Sequence, residues 1–326
     1  MQPRGQRFNR LMHWTYTLAT VFWLALQPKD KSAMKVFVTG GTGLIGRALV
    51  KRLLTDGHDV TVLTRQTLTS SEAVTYINSI DDLDTRQDIV VNLAGAGLAD
   101  RRWSPAYKKE IRASRIDLTQ ALVSRLRDIG MPNVFISGSA IGVYGESKDR
   151  DFSETDAVGS GFSAELCRDW EASVSDIGNE ATRCVLLRTG VVLDKAVGAY
   201  PQMTQSFRFG LASWMGRGEH WLSWIHLADM VGAIMHCIQN ETVSGPVNMT
   251  APNPVTHRSF ADEVRRATTT LMGIGMPGWV MRLMVGEMAD ELLLTGQRVT
   301  PIKLLSTGYE FRFGELKEAV ADLEAR

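Results

Sequence analysis

Between residues 35 and 249, short β-branched and aliphatic runs alternate with amphipathic stretches, the rhythm of strands separated by helices. Residues 35–39, KVFVT, read as a buried strand, and residues 44–53 as a helix that sets Ile45, Leu49 and Leu53 four apart on one face. The alternation continues with strands over 59–64 and 88–95, a long amphipathic helix over 105–130, a strand over 133–137, a helix over 162–174 and a strand over 184–188. In the long helix, which Pro105 starts, Ile111, Leu118, Leu122 and Leu126 point inward, while Arg112 and Arg115 lie elsewhere, either approaching a phosphate or, the commoner case for helix charges, forming a solvated face. Successive strand, helix, strand units build a parallel sheet with helices on both sides, so the fold class is α/β with a doubly wound parallel sheet. Past residue 189 the pattern loosens into glycine, methionine and tryptophan. It then resumes as a helix over 225–238, a strand over 246–249, helices over 257–270 and 277–295, and a closing helix from Gly314.

The junction of the first strand and helix carries the clearest chemistry. Residues 39–46, TGGTGLIG, place Gly40, Gly43 and Gly46 three apart. In that context Gly40 permits a tight turn, Gly43 lets a pyrophosphate approach the backbone, and Gly46 lets the helix pack on the strand, while the helix N-terminus offers free N–H groups to the anion. The candidate cofactor residues here are Gly40, Thr42, Gly43, Leu44, Ile45 and Gly46. The second strand ends at Arg65, where an acidic residue would bind a ribose 2′-hydroxyl and an arginine pairs with a 2′-phosphate, so NADP(H) is favoured over NAD(H). Asn92, Leu93, Ala94 and Gly95 end the 88–95 strand at the carboxyl edge of the sheet and complete the cofactor set. The Rossmann-type dinucleotide-binding domain is therefore expected over 34–189, with 221–250 returning to it. Residues 190–220 and 251–326 are then expected to form a separate, smaller lobe, to which the resemblance given below assigns the substrate.

Composition narrows the partners. The 326 residues carry zero formal net charge, which gives no field to draw the protein to nucleic acid, and a small-molecule substrate is the expected partner. Cys167, Cys184 and Cys237 are odd in number, widely spaced and without a C-x-x-C, which fits a reducing compartment, the cytoplasm, and gives neither a disulfide framework nor a metal site. Residues 1–33 stand outside the fold. Within them the apolar stretch over 11–26 is flanked by basic residues and is short for a membrane span, which needs ~20 residues. It is either an extension ahead of Met34 or an anchor, and only in the second case does the chain have a membrane partner.

VTGGTGLIGRAL, NLAGAGLADRRW, ISGSAIGVYG, FSAELCRDWE, LRTGVVLD, SWIHLADM, GPVNMTAPNPV and the tail EMADELLLTGQRVTPIKLL followed by GYEF together resemble the atypical "epimerase family protein" branch of the extended short-chain dehydrogenase/reductases. The resemblance runs from Met34 to the C-terminus. It implies an NADP(H)-binding Rossmann domain with a C-terminal lobe closing over the substrate, and it leaves the substrate unnamed.

Extended members of that superfamily use Ser, Tyr and Lys, the last two four apart on the helix after the serine loop, so that lysine lowers the tyrosine pKa. Ser139 fits the serine position. On the 162–171 helix, however, the tyrosine and lysine positions fall on Phe162 and Leu166, or on Ser163 and Cys167 if Glu171 is the anchor, and neither pair performs that chemistry. A literal Y-x-x-x-K at Tyr144 and Lys148 lies in the loop after the serine strand and reads as coincidence, although Tyr144 alone is a candidate to face the pocket with Ser139. A hydrolytic triad of Ser139, His226 and Asp229 is disfavoured, because Ser139 lacks the G-x-S-x-G elbow. The expected activity is that of an NADP(H)-dependent oxidoreductase or epimerase-like enzyme on a small hydroxyl or carbonyl compound, with nonstandard proton transfer. The alternatives are a noncatalytic NADPH-binding sensor and, resting on residues 11–26, a membrane-anchored interaction protein.

Overall fold

The structure, a computed structural model, describes residues 33–325 apart from 148, 176, 178–180, 269 and 271. The expectations for the N-terminal extension and for Lys148 therefore concern residues outside the described ones. Seven parallel strands form the central sheet: β1 (Lys35–Thr39), β2 (Asp59–Leu63), β3 (Val74–Ile77), β4 (Ile89–Asn92), β5 (Val134–Ala140), β6 (Arg183–Thr189) and β7 (Gly245–Met249). They lie in the order β7-β6-β5-β4-β1-β2-β3, so the chain reverses direction beside β1, where a doubly wound sheet opens a crevice at its carboxyl edge.

The central strands are unbroken apolar runs because helices cover both of their faces. On one face Leu49 and Leu53 of α1 (Leu44–Thr55) pack with Val36, Val38 and Val91, together with Met230 and Ile234 from a helix over Leu227–Gln239. On the other, Phe37, Val90 and Phe135 meet Leu122 and Leu126. The edge strand β3 escaped the sequence reading, since VTYI pairs on one side only and none of its residues is fully buried.

The long helix expected over 105–130 is two helices, α2 (Pro105–Ala113) and α3 (Ile116–Ile129). Ser114 makes the break: its hydroxyl donates back to the Ile111 carbonyl at 2.9 Å and accepts from the Ala96 amide at 2.9 Å. The next helix, α4, spans Phe162–Ala172. The 146–161 stretch, expected as loop, holds a two-residue strand, Asp151–Phe152, paired in parallel with Arg298–Val299.

The C-terminal part has its own core around Tyr200, Trp224, Phe260 and Leu323. Short paired strands run through it, Leu211–Met215 with Met272–Met276 and Trp221–Leu222 with Val255–Thr256. The helix expected over 277–295 is split at Gly286 into Gly278–Val285 and a π-helical turn, Ala289–Leu293. Among the described residues no helix is long and apolar enough to cross a membrane.

Candidate active site

A cleft of about 810 Å³ opens at the carboxyl edge of β1, β2 and β4. The turn after β1 shapes its floor. Gly40 has φ +69, and a Cβ there would lie 2.7 Å from the Leu93 carbonyl, so only glycine brings this turn against the end of β4. A Cβ on Gly46 would lie 2.2 Å from the Gly40 oxygen, which locks α1 onto the turn. Gly43 is the N-cap of α1, with no side-chain cap, and the first turn carries no acidic residue. The N–H groups that a capping side chain would satisfy are therefore offered to a ligand, with the positive end of the helix dipole behind them.

Thr42, Gly43, Arg65, Leu93, Ala94 and Gly95 line the cleft. Leu44 and Ile45 supply the first helical turn, and Ile45 also packs on the core. Arg65 is exposed at the rim and makes no hydrogen bond or ion pair among the described residues. Asn92 requires a correction. Its side chain is fully buried, accepting from Thr39 Oγ1 at 2.6 Å and donating to Thr119 Oγ1 at 2.8 Å, so it ties β4 to β1 and α3 and is not among the residues that line the cleft.

Beside β4, the end of β5 carries Ser139 into a buried network. Ser139 Oγ donates to Glu171 Oε1 at 2.7 Å, and Glu171 receives Arg188 through both oxygens at 2.9 Å. Ser139 and Arg188 are register partners on β5 and β6, which is why one carboxylate reaches both. The pair is 6% and 12% exposed at Arg188 and Glu171, and carboxylate hydrogen bonds hold the guanidinium above its ordinary pKa against the opposing pull of burial.

Tyr144 does not face the cleft in this structure. A 3₁₀ turn, Ile141–Tyr144, directs its ring inward onto Phe152, centroids 5.1 Å apart. Its hydroxyl donates to Asn248 Oδ1 at 2.6 Å and accepts from Arg188 at 3.0 Å, and burial raises its pKa. Both hydrogen-bonding roles are filled inside the protein. The turn ends at Gly145 with φ +69, so no helix runs from Tyr144 toward residue 148.

The structure also decides between the two alignments of α4. Phe162 and Leu166 face Trp103, Tyr107 and Ile111, whereas Cys167 and Glu171 turn toward β5, with Cys167 beside Ser139 and the Ala140 backbone. The second residue of the pair that turns toward β5 is a buried thiol whose pKa burial pushes up to about 11, a neutral group at pH 7 that exerts no cationic pull.

His226 and Asp229 are drawn elsewhere. His226 caps its helix through Nδ1 and lies 3.4 Å from Asp322, and Asp229 accepts the Arg312 and Phe313 amides at 2.8 Å, so both tie down the C-terminal segment. That segment also reaches the site: Glu291 accepts the Phe162 and Ser163 amides at 3.2 and 3.1 Å, capping α4 from outside, and Glu287 pairs with Lys108 at 2.6 Å.

Residues 36–173 match the NAD dependent epimerase/dehydratase family, and residues 276–323 match a domain of unknown function, DUF1731. The chain is 37% identical over 290 residues to the epimerase family protein ML0860 of Mycobacterium leprae, covering 88% of this chain and 94% of the relative. It is 34% identical over 313 residues to the chloroplastic epimerase family protein SDR39U1 homolog of Arabidopsis thaliana, covering 92% and 89%. The crystal structure of human epimerase family protein SDR39U1 (isoform 2) with NADPH is similar at a TM-score of 0.83 and 32% identity, covering 90% of this chain and 99% of that one.

Proposed function

The chain belongs to the epimerase protein family of the extended short-chain dehydrogenase/reductases, and on that premise we propose that it is an NADP(H)-dependent oxidoreductase or epimerase-like enzyme acting on a small hydroxyl or carbonyl compound. The observation that carries this reading is the uncapped, acid-free first turn of α1 opening onto the cleft, with Arg65 unpaired at the rim. The turn takes the pyrophosphate and Arg65 the 2′-phosphate. A nicotinamide bound along Leu93, Ala94 and Gly95 supplies or accepts hydride. Ser139, on the strand next to β4, orients the substrate oxygen. Because its own hydrogen goes to Glu171, it offers a lone pair and suits a substrate hydroxyl. Residues 190–220 and 251–326 shape the substrate side, and the three free cysteines fit the reducing cytoplasm.

Calorimetric titration with NADPH and NADH tests the cofactor assignment. NADPH binds more tightly, and Arg65→Ala removes about 1–3 kcal/mol of that preference, the scale of a charge-assisted hydrogen bond. Equal affinities for the two cofactors would overturn the assignment to NADP(H). A second reading, a noncatalytic NADPH-binding sensor, is favoured by the neutral thiol at the lysine position. A panel of small aldehydes, ketones and sugar nucleotides separates the two, since the sensor oxidises bound NADPH with none of them at any pH.

A further inference from the structure

Arg115 sits at the break between α2 and α3, as the N-cap of α3, with its guanidinium beside Gly95, a residue of the cleft wall. Its Nη1 donates to the Ala96 carbonyl at 3.0 Å and the Ile111 carbonyl at 3.3 Å. Its guanidinium carbon lies 5.3 Å from the ring centre of Trp170, which packs in turn against Gly138, next to Ser139. A Cβ on Gly95, a cleft residue, would fall 2.8 Å from that carbon, so the absence of a side chain at 95 is what gives the guanidinium its place.

What sets Arg115 apart is the company it lacks. Arg112 pairs with Asp169, and Arg188 with Glu171. Arg183 has no carboxylate but fills its fork with the Cys237, Ile238 and Val243 carbonyls at 2.7–2.8 Å. Among the described residues Arg115 has neither a carboxylate partner nor a hydrogen bond from Nε or Nη2. Burial lowers its pKa, the mark of a charge held where water is scarce. A half-buried guanidinium with three of its five N–H donors, those on Nε and Nη2, unspent inside the protein is placed to receive an anion.

We propose that Arg115 anchors an oxyanion of the substrate, a carboxylate or phosphoryl group, at the Gly95 end of the cleft. This rests on the assignment of the pyrophosphate to α1 and of the nicotinamide to Leu93, Ala94 and Gly95, which leaves the space beside the nicotinamide at the Gly95 end to the substrate. It narrows the substrate class to small hydroxyl or carbonyl compounds that carry such an anion. The guanidinium fork suits the planar, two-oxygen edge of a carboxylate and two oxygens of a phosphoryl group alike.

The test titrates NADPH-saturated protein with acetate and, separately, with methyl phosphate at fixed ionic strength, following heat and the unfolding midpoint. Wild-type protein binds at least one of the two, and the tighter arm identifies the anion. Arg115→Met lowers that affinity about tenfold or more while NADPH affinity stays within about twofold. Gly95→Ala, which pushes the guanidinium aside without deleting it, gives the same loss and covers the case in which Arg115→Met fails to fold. Wild-type protein that takes up neither anion, or anion affinity unchanged in both variants, overturns the proposal. So does a parallel loss of NADPH affinity in Arg115→Met, which would give Arg115 to the cofactor. Failure of the cofactor assignment is seen separately, as wild-type protein that binds no NADPH. The same anion titrations on the cofactor-free protein then retain both outcomes.

Discussion

At the α1 turn the groups offered to a ligand are main-chain N–H groups held in place by glycines, whereas the carboxyl end of β5 is held by the side chains of a buried ionic network. The first end relies on the shape of its backbone. Its shape comes from contacts such as the one between Gly46 and the Gly40 oxygen, so atoms added there break it and atoms removed elsewhere scarcely reach it. The second end depends on partners. Ser139, Glu171, Arg188, Tyr144 and Asn248 satisfy one another, and deletion of any one leaves a buried polar group unpaired.

The largest expected effect is therefore at the second end. Glu171→Ala leaves the Arg188 guanidinium buried without a counter-charge and destabilises the fold by about 3–5 kcal/mol, measured by urea unfolding, because loss of one partner of a buried pair exposes the full desolvation cost of the other. A change under about 1 kcal/mol would mean that water already screens the pair, as at the surface, and the contrast between the two ends would fail. The opposite signature is expected at Gly43. A Cβ there meets the Gly40 oxygen at 3.2 Å, a tight contact but far looser than the 2.2 Å at Gly46, so Gly43→Val shifts the unfolding curve by much less than Glu171→Ala does. It weakens NADPH and NADH together by about 1–3 kcal/mol, because the branched side chain stands where the phosphates hydrogen-bond to α1. Unchanged affinity for both cofactors would move the pyrophosphate away from this turn.

The same contrast explains what could be read from the chain alone. The glycine turn is local: glycines at 40, 43 and 46, between a strand and a helix, state the whole geometry, and Arg65 follows from the end of the next strand. The network is not local. Tyr144 and Asn248 are 104 residues apart, and nothing in LRTG or GPVNM announces that Arg188 and Asn248 will converge on a tyrosine. Arg115 was left between a phosphate contact and a solvated face for a different reason. Helical periodicity assigns it to a solvated face only if the helix is continuous, and the hydroxyl of Ser114 interrupts it one residue earlier. The choice between Phe162 with Leu166 and Ser163 with Cys167 needed to know which face of α4 meets β5, and periodicity gives faces without saying which one is inside.

The smallest expected effect sharpens the account of the β5 end. Cys167 is buried and neutral, its pKa moved by burial from 9.0 to about 11, so between those values the unfolded chain loses a proton that the folded chain keeps. A group whose pKa is raised on folding lends stability that is complete below the unfolded value and is lost as pH climbs through the folded one. One proton is worth about 1.4 kcal/mol per pH unit in that window. Cys184 and Cys237 are raised as well, so the wild-type slope belongs to all three thiols, and Cys167→Ala isolates one of them. At pH 7 the variant should differ from wild type only by its small packing loss. Between pH 8 and pH 10 it should gain about 1 kcal/mol on wild type in urea unfolding, since it no longer has that proton to lose. Parallel pH dependence in the two proteins would mean that the folded thiol titrates as freely as an unfolded one. The β5 end would then hold a solvated sulfur able to ionise near Ser139, and the lysine position would carry a titrating group in place of a neutral wall.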